Sequence, residues 1–187
     1  EKMPIKKFLK VYFDGFYILN IMGAVAIKPN KEITSTQKIH RDIRSFSHDY
    51  PLTLVVICLL DDSNKENGST IFMKKSHLIK DKPLKKKFFK KKIQIEGKRG
   101  DLILFNSNMW HCSGKNITSK DRYISTIVYS KPFYKQALYY PKAFGEKFKK
   151  KISPYLKQIL GYNAKVPESL DEWYALPDKR FYKSNQG

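Results

Sequence analysis

A chain of 187 residues, 41% hydrophobic and 14% aromatic, is long and apolar enough to bury a core of its own, which excludes a disordered segment. Its longest apolar stretch, Leu52 to Leu60, falls far short of the roughly 20 residues of a membrane-spanning helix. The opening Glu1-Lys2-Met3-Pro4 lacks the apolar run and cleavage site of a secretory signal, so a cytoplasmic location is expected. The formal net charge of +20 is almost all lysine, with arginine only at Arg41, Arg44, Arg99, Arg122 and Arg180. Base readout and bidentate phosphate binding favour the planar guanidinium, so a nucleic-acid partner is not expected, while the charge is compatible with an anionic small-molecule substrate.

In chain order, Ile5, Phe8, Leu9, Tyr12, Phe13 and Phe16 recur at mixed spacing that fits a helix over residues 4 to 21 better than alternation, with Gly23 ending it. Tyr12, Phe16 and Tyr17 are read as packing residues of that helix. Short β-branched and aromatic runs follow at Ala24 to Ile27, Gln37 to Ile43, Leu52 to Leu60, Thr70 to Met73, Lys92 to Ile95, Leu102 to Phe105, Trp110 to Cys112 and Tyr123 to Tyr129. Separated by turns such as Pro29-Asn30, Asn67-Gly68 and Gly100-Asp101, they predict an antiparallel sandwich or barrel. The lysine-rich run from Lys85 to Lys92 is read as a solvated loop. Cys58 and Cys112 lie in strand-like stretches, as free buried thiols rather than a disulfide or zinc pair. After Pro132, Phe144, Phe148, Ile152, Leu156 and Ile159 predict a helix that Pro154 kinks or restarts and Gly161 stops. From Pro167 on, irregular structure pinned by Trp173, Tyr174, Phe181 and Tyr182 is expected. With no repeat or linker, the chain reads as one domain, with a helical segment over 1–22, a β core over 23–133 and a helix and tail over 134–187.

His40-Arg41-Asp42 lies in one of the predicted strands, where positions i and i+2 face the same way, so an imidazole and a carboxylate converge. A second histidine from a distant strand would complete a set of two histidines and one carboxylate, which leaves three positions open on Fe(II). The block Gly100-Asp101, His111-Cys112-Ser113, Asn116 and Arg122 supplies one. His111 and Ser113 share a strand face, and Arg122 opens the next strand. A buried arginine beside a hydroxyl is a receptor for a carboxylate. Next to an iron site, that is what 2-oxoglutarate requires. The other candidates take plainer readings: His48 in a polar surface turn, His77 in a loop held by hydrogen bonds, Asp101 stabilising a turn after Gly100, and Trp110 in the core.

From Ala24 to Phe133 the sequence resembles the phytanoyl-CoA dioxygenase family. The resemblance is carried by His40-x-Asp42, Glu66-Asn67-Gly68-Ser69-Thr70, Ser76-His77, Gly100-Asp101, His111-x-Ser113, Asn116 and Arg122. It implies a mainly β fold, a double-stranded β-helix (jelly roll, cupin-like) with flanking N- and C-terminal helices. It also implies that His40, Asp42 and His111 bind Fe(II), that Arg122 and Ser113 hold the distal carboxylate of 2-oxoglutarate, and that dioxygen is consumed. Gln37 and Thr70 are further candidates for contact with the cosubstrate. The implied reaction hydroxylates an unactivated C–H bond of a small molecule and releases succinate and CO2. Related halogenases replace the metal carboxylate by a small residue, so Asp42 points to hydroxylation. The sequence departs from the family at Met73-Lys74-Lys75, where Pro-Gly is usual. The stretch before His40 is also shorter than the family's helical region, so elements that cover the substrate are expected to be shortened or missing. Two other readings stay open: a jelly-roll binding module that has lost turnover, and a basic nucleic-acid-binding β-barrel.

Overall fold

The computed structural model describes residues 5–29, 35–176 and 178–179. Helix α1 (Lys6–Phe13) buries Leu9 and Phe13, four residues apart on one face. It stops well before residue 21, because Asp14 and Gly15 turn to positive φ (45° and 126°), a conformation those two residue types tolerate. The chain then enters strand β1 (Ile18–Ile27). The expected helix over 4 to 21 is therefore two elements. Gly23, expected as its stop, sits in mid-strand opposite Thr126. Pairing with a neighbouring strand along the whole of β1 outweighs the weak helical spacing of its residues. Tyr17 is buried against Phe13 and Tyr129, but Phe16 is 74% exposed and packs in no helix.

Two antiparallel sheets follow. The larger, in the order β1-β7-β2-β5, combines β1 with β7 (Arg122–Ser130), β2 (Thr53–Leu59) and β5 (Leu102–Asn106). The smaller, β4-β3-β6, is formed by β4 (Lys92–Gln94), β3 (Thr70–Met73) and β6 (His111–Ser113). Beyond Thr53, strand β2 is apolar because it is covered on both faces. Leu54 and Val56 pack with Leu9, Phe13, Tyr129 and Ile159 under the helices, while Val55, Ile57 and Leu59 meet Phe72, Phe105 and Ile124 between the sheets. The smaller sheet follows the same logic. Phe72 points inward, whereas Ile71 and Met73 lie on the outer face with Trp110, Cys112 and Phe88.

Phe88 belongs to helix α2 (Lys85–Lys90), which occupies the run read as a solvated loop. Its lysines are exposed, but Phe88 is fully buried, and that apolar anchor lies at about 1.5–3 kcal/mol, enough to hold a short helix against the sheet. The stretch read as a strand from Gln37 to Ile43 is a 3-10 turn (Ser35–Gln37) followed by irregular chain whose one β-bridge is His40 to His111. The C-terminal expectation holds in outline. Helix α3 (Tyr140–Lys149), broken by a kink at Gly145 (φ 72°), ends before Pro154, α4 (Pro154–Ile159) restarts at it with Ser153 as N-cap, and Gly161 follows in the left-handed region. A last short helix, α5 (Leu170–Trp173), lies in the stretch expected to be irregular, and Phe181 and Tyr182 are outside the described residues. Cys58 and Cys112 are free thiols, and the burial of Cys112 pushes its thiol up to about 11. Among the described residues no helix is long and apolar enough to cross a membrane.

Candidate metal centre

His111 opens β6 directly opposite Phe72 of β3, and Ser113 stands opposite Thr70, so these four side chains share the inner face of the smaller sheet. The His111 ring is held between Phe72 and Phe105, at centroid distances of 5.6 and 4.9 Å. His40 is brought to it by paired backbone bonds, His40 N–H to His111 O at 2.9 Å and His111 N–H to His40 O at 2.8 Å. Two residues on, the Asp42 N–H donates to Ser107 O at 3.2 Å, and the Ile43 N–H reaches the same carbonyl.

The result is a cluster whose ligand atoms all lie within 4.8 Å of one another. Asp42 Oδ1 is 3.7 Å from His40 Nε2, and Asp42 Oδ2 is 3.6 Å from His111 Nε2. Both imidazoles are oriented from behind. Nδ1–H of His40 donates to Lys38 O at 2.7 Å and that of His111 to Met109 O at 2.9 Å, which leaves each Nε2 lone pair free to ligate. Burial pushes the His111 imidazole below its ordinary pKa, and the neighbouring His40 acts in the same direction, against the attraction of Asp42. A neutral ring is the form that binds a metal. Two donors each about 2.1 Å from one ion can stand at most about 4.2 Å apart, so the His–Asp spacings fit a shared metal.

His40, Asp42, His111, Ser113, Thr70 and Arg122 all line one cavity of about 320 Å³. Arg122, the first residue of β7, is 1% exposed. Its Nε donates to Asn67 O and its Nη2 to Gly68 O, at 3.0 and 2.7 Å, while Nη1 is buried with no partner among the described residues. Burial pushes its guanidinium below the ordinary arginine range, with Asp61 partly offsetting this. The turn that supplies those carbonyls needs glycine, since at Gly68 (φ 82°) a Cβ would meet Gly114 O at 2.9 Å. A buried guanidinium with an unused N–H, in the same cavity as the Ser113 and Thr70 hydroxyls, has the chemistry to receive a carboxylate.

Gln37 does not line this cavity. Its neighbour Thr36 does, and accepts a hydrogen bond from Ser113 Oγ at 3.2 Å. Nothing in the sequence marks Thr36, because it lies in a turn without periodicity. The rest of the wall was within reach of a parity argument, since Ile124, Thr126 and Val128 follow Arg122 at intervals of two. Of the remaining candidates, His48 is exposed at φ 49°, and His77 lies half-buried in a 3-10 turn outside the cavity. Asp101 Oδ2 accepts from the Lys98 N–H in its turn, and Trp110 is buried with its indole N–H on Ile79 O.

Residues 15–124 match the family model of phytanoyl-CoA dioxygenase. An uncharacterised protein of Mycobacterium tuberculosis is 28% identical over 148 residues, which are 79% of this chain and 54% of that protein. The chain thus spans about half the length of the curated relatives it matches first. Among solved structures, HygX from Streptomyces hygroscopicus, with nickel and 2-oxoglutarate bound, aligns at a TM-score of 0.57 and 15% identity over 70% of this chain and 64% of that one. The epimerase SnoN from nogalamycin biosynthesis, in complex with Fe3+, alpha ketoglutarate and nogalamycin RO, aligns at a TM-score of 0.55 and 20% identity over 68% and 55%. These likenesses are of fold, and they agree with a jelly roll built from the two antiparallel sheets.

Proposed function

The chain belongs to the phytanoyl-CoA dioxygenase family, and on that premise we propose that it is an Fe(II)- and 2-oxoglutarate-dependent dioxygenase that hydroxylates an unactivated C–H bond of a small molecule. The observation that carries this reading is the convergence, in one cavity, of a two-histidine, one-carboxylate cluster and a buried arginine with an unpaired N–H. His40, Asp42 and His111 would hold the iron, which when bound supplies the activation of dioxygen coupled to conversion of 2-oxoglutarate to succinate and CO2. Arg122 Nη1 and Ser113 Oγ would receive the distal carboxylate, with Thr70 beside them across the sheet.

The protein's own contribution is orientation and electrostatics. The backbone carbonyls of Lys38 and Met109 hold each imidazole with Nε2 facing the metal position. Val55, Ile57 and Ile124 give the cavity apolar walls, in which the charge of Arg122 acts on a carboxylate with little screening by water. Asp42 fills the third protein position with an oxygen donor, leaving no gap for a halide, which supports hydroxylation over halogenation.

Anaerobic addition of 2-oxoglutarate to the Fe(II)-loaded protein tests the reading. A visible charge-transfer band is expected when the keto acid chelates ferrous iron, and it should vanish in His40→Ala. No band in folded, iron-loaded protein would favour instead a jelly-roll binding module without turnover.

A further inference from the structure

Beside the cavity just described lies a second, of about 500 Å³. Ile21, Asp42 and Val128 line both, so the metal carboxylate stands where the two meet. The chemistry of the second cavity differs from that of the first. Arg44 lines it, two residues beyond Asp42, exposed and with no carboxylate in ion-pair range among the described residues. Lys135 lines it too, exposed and equally without an anionic partner among the described residues. Thr53 and Ser107 form part of its wall, and each carries a buried hydroxyl with no hydrogen-bond partner among the described residues, in side chains whose residues are only 5% and 1% exposed. A buried hydroxyl left unmatched costs about 1–3 kcal/mol, and such groups are rare enough to call for a reason.

We infer that this second cavity takes the substrate, and that the substrate is a small hydroxylated molecule bearing a carboxylate or phosphate. The anionic group sits on Arg44, with Lys135 adding charge, and hydroxyls of the substrate reach Thr53 and Ser107. The site then has a cation at each end with the metal carboxylate between them. Buried Arg122 takes the cosubstrate, and exposed Arg44 takes the substrate, holding it against Asp42 and so against the metal position. The large positive net charge of the chain supports encounter with an anion of either kind. This assignment rests on the oxygenase reading above, because it uses the metal position to define which part of the substrate is presented.

The test uses protein loaded with nickel in place of iron and saturated with 2-oxoglutarate, so that Arg122 is engaged and turnover is blocked. Calorimetry compares gluconate, quinate and glycerol phosphate with neutral glucose, inositol and glycerol. At least one acid is expected to bind about tenfold or more tightly than its neutral counterpart. Arg44→Ala should weaken that acid by about tenfold, Arg44→Lys by less, and neither should change 2-oxoglutarate binding. The inference is overturned if no acid binds, if acids and neutral molecules bind alike, or if Arg44→Ala leaves the acid unaffected; in each case intact 2-oxoglutarate binding leaves the oxygenase reading standing. Failure of 2-oxoglutarate itself to bind the nickel-loaded protein would remove both.

Discussion

His111 stands on a ladder strand, between Phe72 and Phe105, with Trp110 and Cys112 sealing the far side of the sheet, whereas His40 and Asp42 stand on irregular chain tied down at few points. The ties are the paired bonds between His40 and His111, the two amides on Ser107 O, the buried Ile43 side chain, and Arg41, which donates to Lys80 O and lies 5.1 Å from the Trp110 ring. One half of the cluster is thus positioned by the sheet whatever the ligand does. The other half depends on a short list of contacts, so the two halves should respond differently to damage.

The largest effect on the metal is expected from removing the ladder ligand. His111→Ala should weaken Fe(II) binding by about 100-fold or more, read by anaerobic metal titration, without unfolding the protein. The two halves separate next through a pair of core truncations. Phe88→Ala, on the outer face of the smaller sheet, should cost about 3–5 kcal/mol of stability in denaturant unfolding and leave Fe(II) affinity nearly unchanged. Ile43→Ala should cost about 2–5 kcal/mol and also weaken Fe(II), because it loosens the segment that carries Asp42. Equal effects of the two on metal affinity would break the comparison. The smallest effect belongs to Ser113→Ala, which removes one hydroxyl donor to the cosubstrate carboxylate and should weaken 2-oxoglutarate by about 1.5–3 kcal/mol, measured by calorimetry, with iron unaffected.

The same contrast explains what could be read from the sequence. Ladder-borne residues were legible, because parity puts His111 with Ser113 and Arg122 with Ile124, and a strand buried on both faces, such as Leu52 to Leu60, shows as an apolar run interrupted only by Thr53. His40 and Asp42 do converge, but the regular strand expected to carry them is absent, since pairing stops at one bridge. Thr36 and the wall around Arg44 were not legible, for they are brought in by chain that follows no period. Boundaries failed where long-range pairing decides. Ile18 to Ile27 is a strand because β7 pairs with it, and the Lys85–Lys90 helix forms around a single buried phenylalanine among lysines.

On the proposed function, one cavity holds a metal at one end and a carboxylate on Arg122 at the other. Anaerobic calorimetry of Arg122→Ala, titrated first with Fe(II) and then with 2-oxoglutarate, tests it most directly. Near-normal Fe(II) affinity with 2-oxoglutarate weakened by about 2–5 kcal/mol is the predicted result. Equal loss of both ligands in a variant whose circular dichroism shows it folded, or no loss of 2-oxoglutarate at all, would contradict the account.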